Sequence, residues 1–390
     1  MSRPPRGFPD GEFRDRLARA QSLMRDAGLA ALLLTTEPEI RYFTGFLTRF
    51  WESPTRPWFL VVPADDDPVA VIPSIGAHLM GQTWIGDIRT WHAPDYDDDG
   101  VSLLADTLCE LVPATASIGV PGGLETHIRM PHDSWLGLQT ATGRRKFVGD
   151  AGILRRLRMV KSSREIDKIR TACDIAGRAF ARVPEMAARG ETLDQMCRRF
   201  QALCLDEGAD WVAYLAVGAG QGGYRDVISP PTGAGLDGGD VLMLDTGVVW
   251  DGYYCDFDRN FAVPPVAAAV DDAHKRLIEA TQVGFDAART GAEAADVFHA
   301  MNRVLTGGTA GETPGRLGHG LGMQLTEGLS LLPADRTVLE PGMVLTLEPS
   351  VSLPGQRMLV HEEDIVITAG GAEYLTQPAP QALPKLEIAA

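Results

Sequence analysis

The sequence predicts an α/β (α+β) chain of two domains, residues 1–152 and 153–390. Three observations carry that prediction. The first domain alternates an amphipathic helical pattern with short apolar runs of strand length. Ser162, Ser163, Arg164 and Glu165 then form an S-x-x-E capping box before a long helical pattern, so the boundary falls just ahead of it. After Val217 the chain turns rich in glycine and in β-branched and apolar runs. A length of 390 residues suits two or three domains of roughly 150 residues each. The hydrophobic share of 45% and charged share of 23% are ordinary globular values and exclude a disordered or fibrous chain.

In order, Phe13, Leu17, Ala20, Leu23 and Met24 recur at near-helical spacing and Gly28 stops them, which predicts a helix over 10–27. Ala30–Leu34, Trp58–Val62, Val69–Ile72 and Ser117–Val120 read as strands between turn residues. No phosphate-cradling glycine signature accompanies them. Helices are predicted over Ser163–Ala188 and Leu193–Glu207, the second closing at Gly208, and one more around 271–290. The Pro/Gly-rich stretch 229–239 is a loop, and the tail after Thr376 is expected to be surface coil.

Composition narrows the function classes. With 36 Lys+Arg against 52 Asp+Glu the net charge is −16, which excludes a protein whose main business is neutralising phosphate backbones. The acidity itself reads as solubility, and 65–67 and 97–99 as solvated loop tips. No apolar run approaches the roughly 20 residues that span a bilayer, and 1–10 holds no signal-peptide core, so no membrane partner and no secretion are expected. Five cysteines without a CxxC pair indicate neither a disulfide framework nor a thiolate zinc site, and a cytoplasmic location is expected.

The chemistry lies in the second domain. Two apolar strands around Asp251-Gly252 read as a β-hairpin, and its turn leaves two registers open, one placing Asp245 opposite Asp256 and the other opposite Asp258. In either register Asp245, Asp256 and Asp258 share one face, where they repel unless solvent or cations neutralise them, so a metal site and an exposed acidic face are both open. His319 is held between glycines in Gly318-His319-Gly320-Leu321-Gly322. Glu348 ends the apolar strand Met343–Leu347, and period two puts Leu359, His361, Glu363 and Ile365 on one face of the next. Asp245, Asp256, Glu348 and Glu363 together carry four negative charges, matching two divalent cations, and His319 adds one neutral nitrogen. Manganese is expected first, with iron, cobalt or zinc also suited to such an oxygen-rich set.

Two aspartates eleven residues apart, His in Gly-His-Gly-x-Gly, Glu in Leu-Glu-Pro and Glu in Glu-Asp, in that order, resemble the M24 metallopeptidase family. That family includes methionine aminopeptidase, prolidase and aminopeptidase P together with creatinase-like non-peptidases. The resemblance implies a creatinase-type N-terminal α/β domain followed by a pita-bread catalytic domain. It puts Asp245, Asp256, His319, Glu348 and Glu363 on five dinuclear metal ligands, with Asp256 and Glu363 bridging. Glu348 falls on the glutamate given a proton-shuttle role, taking a proton from the attacking water.

The departures bear on the substrate. Peptidase members carry a histidine upstream of the first aspartate, where Tyr224–Ser229 has none, and a second one seven residues after the ligand histidine, which is Thr326 here. The family's threonine two after the second aspartate is Asp258, and an arginine common two before the last glutamate is His361. His361 is then a candidate acid, base or substrate ligand, or a hydrogen-bond partner that steadies a ligand. Asp258 is a candidate for a cationic substrate group, or for an ion pair with Arg259. Asp226 is a stand-in for the first histidine, Thr326 lies on the substrate-binding position of the second, and Glu327 reads as structural. Trp51, Arg56 and Trp58 form an odd Trp/Arg/Pro segment that either walls a pocket across a homodimer or only packs it.

The expected activity is that of a dinuclear metallohydrolase cleaving an amide in a small substrate, with an Xaa-Pro dipeptide as the default. The alternative is a non-peptidase of the same fold, hydrolase or lyase, acting on a small metabolite, cationic ones included, as the dimethylsulfoniopropionate-cleaving members do. A catalytically dead scaffold is the third reading, and retention of the whole ligand set argues against it.

Overall fold

The computed structural model describes residues 3–53, 56–308 and 315–388. The chain divides into two compact units, Pro5–Arg158 and Met159–Ala390 with Met1–Pro4.

The first unit begins with the helix Asp10–Asp26, which buries Phe13, Leu17, Ala20 and Met24 and ends before Gly28, whose φ of 67° is left-handed. Strands β1 (Leu29–Leu34), β2 (Phe59–Pro63), β3 (Val69–Pro73), β4 (Asp87–Trp91), β5 (Ser117–Val120) and β6 (Lys146–Gly149) make one mixed sheet in the order β4-β3-β2-β1-β5-β6. β1 runs antiparallel to β2 and parallel to β5, and its near-continuous apolar sequence fits a strand covered on both faces. The helices Val101–Leu111 and His132–Ala141 pack Leu104, Leu108 and Leu138 onto Leu33, Val61 and Ile118.

In the second unit Ser162 Oγ accepts from Glu165 N–H at 3.3 Å and Glu165 Oε2 accepts from Ser162 N–H at 2.8 Å, so the predicted capping box forms. The helix it starts runs Ser163–Phe180, not to Ala188. Pro184 has no N–H and clashes with the preceding turn, and it opens a separate short helix, Val183–Ala187. Leu193–Asp206 follows, then β7 (Trp211–Gln221), β8 (Asp240–Trp250), β9 (Tyr253–Tyr254) and β10 (Phe257–Ala262), ordered β10-β8-β7 with β9 on β8. The helices Ala268–Ala287 and Ala294–Leu305 precede β11 (Val344–Leu347), β12 (Ser350–Leu353), β13 (Arg357–Val360), β14 (Glu363–Thr368) and β15 (Gly371–Tyr374).

Two expectations change here. The single strand through Leu359–Ile365 is two strands in two sheets, since β13 pairs with β12 whereas β14 lies between β11 and β15. The tail is irregular but not surface coil: Leu383 and Leu386 are buried, and Ala262 exchanges backbone hydrogen bonds with Pro384 and Leu386 at 2.8 Å each. Edge strand β10 presents unpaired backbone groups, and the tail satisfies them. Among the described residues no helix is long and apolar enough to cross a membrane.

Candidate metal centre

The hairpin turn settles the register. Asp251 and Gly252 both have positive φ, 50° and 80°, as a two-residue turn matched to strand twist requires. Trp250 then pairs with Tyr253 and Asp245 with Asp258, the second of the two registers the sequence left open. Asp256 precedes Asp258 by two residues and shares its face. The turn is anchored from the helix Ser163–Phe180, where buried Lys168 pairs with Asp251 and Glu165 Oε1 accepts from Tyr253 Oη–H at 2.9 Å.

His319 is fixed by its glycines. A Cβ on Gly318 would sit 2.2 Å from the Thr346 carbonyl oxygen, and one on Gly320 would sit 2.2 Å from that of Glu327. That closeness lets His319 O accept from Thr346 N–H at 2.7 Å and lays the segment against β11. The His319 ring Nδ1 lies 3.0 Å from the Gly320 carbonyl, which accepts only a proton-bearing nitrogen. Burial, reinforced by the nearby Arg316 charge, lowers the imidazole pKa to about 4, so the ring is neutral and Nε2 keeps its lone pair. That lone pair faces Asp256 Oδ2 at 3.4 Å and Glu362 Oε1 at 4.0 Å. A lone pair confronting two carboxylates repels them unless a proton or a metal cation lies between, and these three ligand atoms all fall within 4.8 Å of one another.

Glu362, rather than Glu363, therefore stands in this cluster. The chain leaves β13 at Val360 and enters β14 at Glu363, and the break re-phases the alternation that the sequence reading carried through. Glu363 points the other way: Arg259 Nη2 donates to its Oε2 at 2.9 Å, Ala379 N–H to its Oε1 at 2.7 Å, and Thr376 Oγ1 also donates to it. Burial works to raise its pKa, but Arg259, His361 and Thr376 hold it down to about 2, so this carboxylate already has its counter-charge inside the chain. On that geometry Glu362 takes the place in the cluster that the sequence reading assigned to Glu363.

The remaining carboxylates converge on the same ring. Burial and the charges of their neighbours push Asp245, Asp256 and Glu362 well above the carboxylate range. Burial lifts Glu348 to about 7, with Arg316 opposing. Asp245 Oδ1, Asp258 Oδ2 and Glu362 Oε1 are buried without a hydrogen-bond partner. Buried acceptors without donors are what a cation relieves, so the oxygen-rich set with one imidazole fits divalent metal. Behind the ring Asp364 accepts from Asp256 N–H at 3.0 Å and from Cys173 Sγ–H at 3.3 Å, holding the Asp256 backbone in place.

The other predicted residues divide. His361 is fully enclosed, with Nδ1 3.6 Å from Asp258 Oδ1 and Nε2 3.3 Å from Glu363 Oε1; burial lowers its pKa but these two carboxylates outweigh it and raise it. It therefore braces two carboxylates. Asp258 is 1% exposed, and Arg259 pairs with Glu363 instead of with the Asp258 carboxylate. Asp226 accepts from Ile228 N–H, Ser229 N–H and Ser229 Oγ–H, an Asx-type turn that uses its carboxylate locally and leaves no stand-in for the missing histidine. Thr326 Oγ1 receives Arg316 Nη2 at 3.2 Å, and Glu327 pairs with buried Lys161 at 3.0 Å. Within their own unit Trp51 and Trp58 are buried, 5.7 Å apart, and Arg56 lies over the Phe50 ring, so the indoles serve as core.

Three functional neighbours escaped the sequence reading besides Glu362. Arg316 acts on Asp256, His319 and Glu348, yet as a residue just before a glycine-rich loop it carries no motif of its own. Tyr214 on β7 donates its hydroxyl to Val227 O at 2.9 Å and feels the same carboxylates, which with burial raise its pKa. Asp364 was within reach, because period two from Glu362 puts both on one face.

Fold and site together define a class: a two-unit α/β protein whose second unit closes a buried ring of carboxylates and one imidazole, a candidate divalent-cation centre. Residues 167–369 match the family model of metallopeptidase family M24, and residues 16–160 match that of the creatinase/prolidase N-terminal domain. A probable dipeptidase PepE of Mycobacterium tuberculosis is 30% identical over 370 residues, covering 94% of this chain and 95% of that protein. The crystal structure of dipeptidase PepE from Mycobacterium ulcerans superposes with a TM-score of 0.84 at 29% identity, over 97% of this chain and 99% of that one. An Xaa-Pro dipeptidase of Pyrococcus horikoshii is 28% identical over 230 residues, 58% of this chain and 64% of that protein. The chain belongs to metallopeptidase family M24 and is a hydrolase of that family.

Proposed function

We propose that this protein is a dinuclear metal-dependent hydrolase that cleaves the amide bond of a dipeptide, with Xaa-Pro dipeptides the first substrates to try. The observation that carries the reading is the His319 Nε2 lone pair aimed at Asp256 and Glu362, amid carboxylate oxygens without donors. Asp245, Asp256, His319, Glu348 and Glu362 would hold two divalent cations, manganese first. Such cations would polarise a carbonyl and lower the pKa of water toward neutrality, so that it could act as the nucleophile.

The chain's own groups do the rest. Glu348 would take the proton of the attacking water on its carboxylate and pass it to the departing amine nitrogen. Arg316, held by Thr326 Oγ1, brings a positive charge beside Glu348, suited to a substrate carboxylate or to the oxyanion of the tetrahedral stage. It supplies charge beside Thr326, the position of one of the missing family imidazoles. A dipeptide's free carboxylate suits Arg316 better than a cationic metabolite does, and Asp258, the residue that favoured the cationic alternative, is too enclosed to meet a substrate.

The test is mass spectrometry of Mn-loaded protein with Xaa-Pro dipeptides, other dipeptides and small betaine and amide metabolites in oxygen-18 water. Hydrolysis places one label in the new carboxylate of the N-terminal residue and none in the released amine. Intact dipeptides beside a consumed metabolite would overturn the reading in favour of a non-peptidase.

A further inference from the structure

Asp258 is a carboxylate more than the two-cation charge balance requires. It lies directly across the ladder from Asp245, and both are buried, at 1% and 8% exposure. Directly opposed residues on one face hold their Cβ atoms about 4.5–5.5 Å apart, so the hairpin does not let these carboxylates separate. Asp258 Oδ1 is engaged: Glu362 N–H donates to it at 3.1 Å, and His361 Nδ1 stands 3.6 Å away. Asp258 Oδ2 and Asp245 Oδ1 each lack a partner.

The two cationic side chains next to Asp258 do not donate to its Oδ2. Arg259 donates to Glu363, to the backbone carbonyls of Glu362 and Gln377, and to Asp258's own carbonyl. His361 lies on the Oδ1 side and is shared with Glu363. Two buried carboxylate oxygens without donors, on side chains directly across the ladder from one another, describe a place for a cation.

We propose that Asp258 is a further metal ligand, its Oδ2 joining Asp245 on one cation while Asp256, His319 and Glu362 gather on the other. The inference rests on the metal-centre reading above. It makes the two positions unequal: each has two carboxylates, but one adds an imidazole and the other is all oxygen, which favours hard cations such as Mn²⁺ over Zn²⁺ there. Glu362 N–H and His361, both on Oδ1, would hold the Asp258 carboxylate in its ligating orientation.

The experiment is a Co²⁺ titration of chelator-treated wild type, Asp258→Asn and Asp258→Thr, read by calorimetry and by the visible d–d bands. Asparagine keeps the Oδ1 acceptor without the charge, and threonine is a neutral strand-favouring residue, so at least one variant should fold, as circular dichroism will report. The expected result is two Co²⁺ per wild-type chain, and in the folded variants one Co²⁺ at unchanged affinity and the other weakened about tenfold or more with altered bands. Two Co²⁺ with unchanged affinities and bands in a folded variant would overturn the assignment and leave the metal centre standing. Wild type binding no Co²⁺ would overturn the metal-centre reading as well. Should both variants unfold, diffraction from Mn-loaded wild type decides, because a ligating Oδ2 lies near 2.2 Å from the ion and a non-ligating one beyond 3 Å, on the order of the usual carboxylate–metal distances.

Discussion

Buried charge is handled differently in the two units. In the N-terminal unit Arg158 meets Glu39 at 3.2 Å, Arg16 meets Glu12 at 3.1 Å, and Arg41 meets Glu37 at 2.6 Å, so each buried cation has an anion from the same unit. In the catalytic unit Lys168 pairs with Asp251 and Arg259 with Glu363, but Asp245, Asp256, Asp258 and Glu362 face one another around a single neutral imidazole. The first unit neutralises itself. The second leaves carboxylate oxygens buried without donors, and that is how a candidate functional site differs from a structural ion pair of equal burial.

The largest effect should come from the ring. His319→Ala or Asp256→Asn is expected to weaken metal binding by more than the roughly 100-fold that loss of an outer partner costs, and to remove hydrolysis with it. Calorimetry and elemental analysis check this, and full metal content in either variant breaks the contrast between the units.

Adjacent glutamates sharpen it. Glu362→Gln should lose metal with little change in the metal-free melting curve, whereas Glu363→Gln should keep metal and lose roughly 3 kcal/mol of stability by leaving Arg259 without its carboxylate. The reverse pattern would restore Glu363 as the ligand.

In the other unit, Arg158→Met strands Glu39 and should cost about 3 kcal/mol, equally with and without metal. Denaturant melts of the loaded and chelated forms check that equality, and a metal-dependent cost would contradict it.

The smallest effect is a pH trend in the chelated form. Burial raises the folded pKa of Glu348 from its ordinary 4.5 to about 7. The folded state then binds the proton more tightly than the unfolded state, so the Glu348 contribution to stability is full below about pH 4.5 and is lost up to about pH 7; Asp245, Asp256 and Glu362 shift in the same direction and His319 in the opposite one. Saturating Mn²⁺ should cancel the decline, and a chelated form that gains stability over that window would count against the account.

Much of this was legible in the chain. Continuous apolar runs marked β1 to β3 and β5, and the capping box marked the helix at Ser163, because burial and end chemistry are local signals. The hairpin face shared by three aspartates was legible too, although only the positive φ at Asp251 and Gly252 selected its register. What stayed hidden depends on tertiary placement. The break at His361-Glu362 follows from the handover between two sheets, which swaps which glutamate faces the ring. Tyr214 and Arg316 reach the site from β7 and from a loop, and neither periodicity nor spacing assigns a direction to such side chains. The tail's burial likewise follows from the need of β10 for a partner.

Anomalous diffraction from crystals of the Mn-loaded protein tests the central claim most directly. The account predicts two manganese peaks inside the ring, with His319 Nε2 and Glu362 on one of them and Glu363 still paired with Arg259. An empty ring, or manganese bound by Glu363, would contradict it.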